Sequence, residues 1–177
     1  MSKLEREAMA TYLDSTFKRV VASASWVLVG DDIEDMSVEL NPDTETTKNI
    51  LGQTKTRDNG YEPSMAADPF YADPDNKLYP VLRDIALERK KGDACKTLML
   101  EVIVEDTAAT NPLAYVREVI VKPQSYRGHT AGLNIPIAVS EDGKFTKGYV
   151  SAASLKTGTP EFNEGAAPVS DKSTSLA

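Results

Sequence analysis

The sequence predicts a mainly β protein with flanking helices, an α+β chain whose body is made of strands. Three observations carry this expectation. From residue 97 to residue 151, apolar residues recur with period two in successive runs, as they do along strands. The three- and four-residue apolar steps of helices are confined to two segments, one at the N-terminus and one near residues 76–91. Turn chemistry, Asp58-Asn59-Gly60 and Glu141-Asp142-Gly143-Lys144, separates the strand-like runs.

Leu4, Ala8, Met9, Tyr12, Leu13, Phe17, Val20 and Val21 fall on one helical stripe, which predicts a helical arm over residues 1–24. Ser2 would cap it, with Glu5 three residues on. Leu4, Met9, Leu13 and Phe17 are its packing residues, against either its own domain or a neighbouring subunit. The β body spans residues 25–154. It opens with the apolar run Trp26-Val27-Leu28-Val29-Gly30, followed by an acidic segment. Val38 and Leu40 then face one side of a short strand, with Ser37 and Glu39 on the other. Residues 41–59 are almost wholly polar and form a long loop, read as a projecting hairpin whose tight turn is Asp58-Asn59-Gly60.

A second helix occupies residues 76–91. Leu78, Val81, Leu82, Ile85 and Ala86 form its stripe, and Gly92 closes it. Arg89, Lys90 and Lys91 suit the negative end of its dipole; a phosphate contact is the alternative use. In the strand at residues 97–105, Leu98, Leu100, Val102 and Val104 make a buried face. Met99, Glu101, Ile103 and Glu105 make a half-polar one, suited to a sheet facing water or a partner. Further strands follow at residues 115–122, through Leu133, Ile135, Ile137 and Val139, and at residues 145–151. Pro136 marks an edge or bulge. Residues 155–177 are rich in Gly, Pro, Ser, Thr and Ala and read as a flexible tail.

The chemistry-bearing residues are sparse. A single Cys95 excludes an internal disulfide and a cysteine zinc cluster, and a single His129 limits acid–base catalysis. Asp31, Asp32, Glu34 and Asp35 lack the spacing of a calcium loop, and no phosphate-binding glycine motif is present. The expectation is a protein that is not an enzyme and has no cofactor or metal. A net charge of −7 argues against a surface that clamps nucleic acid. Between Asp31 and Thr47 there are seven carboxylates and no Lys or Arg. No apolar run is long enough for a membrane span, and charges at Lys3, Glu5, Arg6 and Glu7 interrupt any signal-peptide pattern.

Eight segments taken together carry a family likeness. They are Trp26-Val-Leu-Val-Gly, Val38-Glu-Leu-Asn-Pro-Asp-Thr-Glu-Thr, Lys48-Asn-Ile-Leu-Gly, Gly60-Tyr-Glu-Pro, Asp68-Pro-Phe-Tyr-Ala-Asp-Pro, Leu78-Tyr, Gly92-Asp-Ala-Cys-Lys-Thr and Val119-Ile-Val-Lys-Pro-Gln-Ser-Tyr. In order and spacing this set resembles the tail tube (major tail) proteins of long-tailed bacteriophages and prophages of Gram-positive bacteria, over residues 25–153. The resemblance implies a phage tail-tube fold: a β-sandwich or partly rolled barrel with one packed α-helix. It implies homohexameric rings stacked into a tube around a tape-measure protein, with tail terminator and distal tail or baseplate proteins at the ends. DNA would then be present only in transit.

The same resemblance places the protein in the virion tail, and in the host cytoplasm during assembly. It makes the long loop a contact to the adjacent ring, with Asp43, Glu45, Thr46, Lys48 and Arg57 as inter-ring candidates. Glu39, Glu101 and Glu105, on polar strand faces, are lumen-facing candidates, since an acidic lumen lets DNA slide. Two alternatives stand beside it: a monomeric β-barrel binding module, and a tube subunit of a contractile tail or phage-like injection particle.

Overall fold

The computed structural model describes residues 3–168; the expected Ser2 cap lies outside the described residues. In chain order the strands are β1 (Met9–Asp14), β2 (Trp26–Val29), β3 (Val38–Glu39), β4 (Pro42–Lys48), β5 (Thr54–Tyr61) and β6 (Ser64–Ala67). After helix α1 (Tyr79–Glu88) come β7 (Lys96–Ile103), β8 (Leu113–Pro123), β9 (Arg127–His129), β10 (Gly132–Asn134) and β11 (Ile137–Val150). A short helix α2 (Ala152–Lys156) and β12 (Phe162–Glu164) follow. Eight strands form one sheet in the order β2-β1-β7-β8-β11-β6-β3, with β12 added on β11. The pairs β4–β5 and β9–β10 are separate two-stranded ribbons. The mainly β class with a packed helix is therefore the observed one.

The sheet is buried on both faces. On one, Leu13, Met99, Val119, Val121, Ile137 and Val139 form a core closed by Leu78 and Leu82 from the α1 segment. On the other, Tyr12, Leu98, Leu100, Val102, Val116 and Val150 form a second core, closed by Leu155 and Phe162. Strand β7 contributes to both, so it is buried from Thr97 to Val102. The expected half-polar face is thus absent there. Met99 is apolar and buried, and Glu101 is only 5% exposed.

Several expectations are corrected. The N-terminal helical arm is instead a 3-10 turn at Arg6–Ala8 followed by strand β1. A strand with both faces buried loses its alternation, and the dense apolar residues then fall by chance on helical steps. Leu13 lies in the first core and Phe17 packs against it, while Leu4 and Met9 are exposed. What ends β1 is Asp14, whose buried carboxylate accepts from the N–H groups of Thr16 (2.9 Å) and Ser25 (3.0 Å) and the Thr16 hydroxyl (2.8 Å). These bonds fix the start of the β1–β2 connection, where Phe17 and Arg19 adopt positive φ.

Helix α1 is shorter than expected, because Asn76 accepts the Leu78 N–H ahead of it and Arg89, not Gly92, ends it in the left-handed region. Asp58-Asn59-Gly60 is not the hairpin turn. Asp43 pairs with Gly60 and Thr44 with Asp58, which leaves Asn59 as a β-bulge. Likewise the Glu141–Lys144 turn is a register shift within the single long strand β11. The expected third strand breaks at Pro136, which separates β10 from β11.

The expected tail is ordered over part of its length, and residues 169–177 lie outside the described residues. Segment 152–164 supplies α2 and β12, and β12 pairs with β11 through Gly148. A Cβ at Gly148 would lie 2.1 Å from the Asn163 carbonyl and 2.6 Å from the Phe162 ring. Gly148→Ala should therefore dislodge β12 and cost about 1–3 kcal/mol. Hydrogen exchange should show lost protection in residues 152–164 with β7 still protected; unchanged protection of that segment would contradict this packing.

Candidate assembly surfaces

The most exposed structure is the β4–β5 ribbon. Every residue of β4 is exposed, and in β5 only Gly60 is partly covered. Its root is fastened by Asn41, whose Nδ2 donates to the Glu62 carbonyl (3.0 Å) and the Ser64 hydroxyl (3.2 Å). With seven residues in β4 and eight in β5, it projects roughly 20 Å from the body. Asp43, Glu45, Thr46, Lys48 and Arg57 all lie on this ribbon. Glu45 is opposite Arg57, Lys48 is opposite Thr54, and the hydroxyls of Thr46 and Thr56 are 3.2 Å apart.

Sequence reasoning missed the tip. Asn49 Oδ1 accepts from the N–H groups of Leu51 (3.0 Å) and Gln53 (2.9 Å), and its Nδ2 donates to Gln53 Oε1 (2.8 Å). This Asx-type turn holds Ile50 and Leu51 outward, at 102% and 76% exposure. The signal was present as the only two large apolar residues in an otherwise polar loop.

The lumen candidates separate. Glu39 is exposed on β3 at the sheet edge, and Glu105 is exposed just beyond β7. Glu101 instead points into the first face and pairs with Arg117 Nε at 2.8 Å. The Arg117 guanidinium also lies 3.6 Å from Glu141 and over the rings of Tyr115 and Phe145. Two carboxylates thus share one cation where the apolar core gives way to solvent. Burial raises the Glu141 carboxyl above its ordinary value; Arg117 opposes the rise and Glu101 adds to it.

At the end of α1, Arg89 donates to the Ala86 carbonyl and lies over the Tyr126 ring, and Lys122 donates to the Lys90 carbonyl at 3.1 Å. Of the three basic residues at the helix end, Arg89 thus caps a carbonyl of the last turn, and Lys90 pairs with Glu88 at 3.2 Å. Hydrogen bonding from Arg89 lowers the Tyr126 pKa. Cys95 is buried, with its thiol directed at the Lys90 carbonyl (3.3 Å). Among the described residues no cluster of His, Cys, Asp or Glu could hold a metal ion, and no helix is long and apolar enough to cross a membrane. The surface depressions are open grooves; one of about 530 Å³ lies between Trp26, Asn76 and Pro160.

No protein-family model matches the sequence, and no curated protein sequence matches it. The structure is similar to the sheath/tube terminator of PVC, an extracellular contractile injection system, in its extended state. The TM-score is 0.52 at 10% identity, over 83% of this chain and 97% of that one. It is also similar to the tube-terminating cap of the anti-feeding prophage, with a TM-score of 0.50 at 12% identity, over 84% of this chain and 93% of that one. At these identities the likeness is one of fold, and it is shared with two tube-terminating proteins. Both neighbours terminate a tube, the first in a contractile injection system, whereas the main expectation was a tube subunit of Gram-positive long-tailed phages and its alternative a tube subunit of a contractile tail or phage-like injection particle.

The Glu141 shift has a definite sign. The folded state binds its proton more tightly than the unfolded chain does. The associated stability is full below the ordinary value of 4.5 and is lost as pH rises through the raised folded value. Glu141→Gln carries no charge at any pH, so urea unfolding should show a flatter stability profile above pH 4.5 than the parent chain. An unchanged slope would assign that pH dependence to other groups.

Proposed function

We propose that this chain is a structural, non-enzymatic subunit at the end of a phage-tail-like tube, a terminator or cap that works by associating with copies of itself and with tube components. The observation that carries this reading is the match of nearly the whole of two tube-ending proteins to most of this chain. The exposed surfaces suit the role. Strands β2 and β3 end the sheet with free edges, which can add a strand from a neighbour. A repeated head-to-tail contact closes a ring when its rotation closes. The projecting ribbon, with Asp43, Glu45, Thr46, Lys48 and Arg57 along its length, reaches the adjacent layer. Glu39 and Glu105 remain the lumen-facing candidates; Glu101, held by Arg117, leaves that set. The particle, not a membrane, is the site of action.

A tube subunit is the second reading, with stacked hexameric rings around a tape-measure protein and DNA in transit. The eight sequence segments and the long ribbon favour it. A ligand-binding module has less support, because it needs an enclosed apolar pocket and the grooves described here are open.

Negative-stain electron microscopy of the concentrated chain separates the readings. A terminator forms single rings that cap tubes and limit their growth; long hollow tubes from this chain alone would make it a tube subunit. Replacing residues 44–58 by Asn-Gly should leave a folded protein with a melting temperature within a few degrees of the parent, because the removed strands are exposed. That variant should no longer join a second layer. Normal stacking without the ribbon would remove its assigned role.

A further inference from the structure

The ribbon tip and a groove at the other end of the strand order have complementary surfaces. Two apolar side chains held outward by a hydrogen-bonded turn are costly to leave in water and favourable to bury. A groove of about 350 Å³ runs beside β2, floored by Met9, Leu28, Ile33 and Met36. Leu28 is 57% exposed and Met9 37%, so these two face solvent, while Met36 beneath them is buried. Its rim carries Glu7, Asp31 and Glu34. The one basic residue lining it, Arg6, is tied down by bonds to the carbonyls of Met9 (2.7 Å) and Met36 (3.1 Å).

The charges match as well. Residues 46–57 of the ribbon contain Lys48, Lys55 and Arg57 and no carboxylate. The segment over the groove, residues 30–36, contains Asp31, Asp32, Glu34 and Asp35 and no cation. Among the described residues none of these seven groups forms an ion pair. The ribbon is rooted between β3 and β6, and β2 is the opposite edge of the sheet.

We propose that Ile50 and Leu51 of one copy seat in the groove beside β2 of a second copy, with Lys48, Lys55 and Arg57 against its acidic rim. The contact is heterologous: plug and socket are different surfaces of one subunit, so repetition closes a ring or extends a stack. The pairing rests on the ring-forming reading above and names the surface used.

Crosslinking between two single-cysteine additions tests it. Leu51→Cys protein is mixed with Leu28→Cys protein and treated with a short bis-maleimide; Lys144→Cys replaces Leu28→Cys as the control. The native Cys95 is buried and does not compete. The expected product is a dimer containing one of each chain, absent with the Lys144→Cys control. In parallel, Leu51→Asp and Leu28→Glu should each weaken self-association at least tenfold in sedimentation velocity, with melting temperature unchanged, and added salt should weaken the parent's association. Rings without the 51–28 crosslink would overturn this contact and leave the ring-forming reading standing. No 51–28 crosslink together with a parent chain that does not associate at any concentration would overturn both.

Discussion

The fold depends on strand β7 being covered from both sides. Leu98, Leu100 and Val102 need one apolar layer, and Thr97, Met99 and Glu101 need another. A sheet with two apolar faces is soluble only if the chain returns to both. Here the α1 segment returns to one face through Leu78 and Leu82, and residues 152–164 return to the other through Leu155 and Phe162. Gly148 belongs to this constraint, because the second cover can lie close only where β11 has no side chain. The buried Glu101 follows from it too. It stands on a strand with no wet face, so Arg117 must come with it, and an unpaired carboxylate there would be strongly destabilising.

Much of the architecture was legible. Strand β7 was readable from the period-two spacing of Leu98, Leu100 and Val102 although both of its faces are buried, and the run from Tyr115 to Lys122 was readable as a strand. The helix through Leu82 and Ile85 was readable because its other face meets solvent. Legibility failed in β1. In β1 the residues from Thr11 to Asp14 are all buried, so Tyr12 and Leu13 read as neighbours on a helix although they point into different cores. It failed again at Asn59 and at Glu141, where turn-forming residues make bulges inside continuous strands. A turn signal reports a local backbone preference; whether the chain reverses there depends on what the next residues pair with. The C-terminal cover was missed because its composition is that of a loop, and only Leu155 and Phe162 anchor it.

The same logic governs the candidate surfaces. The sequence pointed to charged residues on the long loop, and the structure puts them on a solvated ribbon as expected of its polarity. The tip residues Ile50 and Leu51 were passed over as two apolar letters in a polar stretch, too few for a pattern. Their meaning came from geometry: the Asn49 side chain organises the turn and leaves both side chains without a partner in their own domain. Glu101 shows the reverse case, a charged letter on an apparently half-polar strand that burial removes from the surface altogether.

Stability and association are separate at the ribbon, which lies outside both cores, but they meet at the β2 groove, where Met36 belongs to the first core and Ile33 packs against it. The tip residues Ile50 and Leu51 are therefore free to change without disturbing Leu13, Leu100 or Val119, whereas the socket is constrained by the core beneath it. The charge distribution accounts for how an acidic chain could associate with itself. Net charge repels copies at long range, but a cationic tip meeting an acidic rim concentrates the attraction where the surfaces touch, over a distance shorter than the roughly 8 Å screening length of physiological salt. In the proposed contact, apolar burial at the tip would supply the larger share and the charges its register.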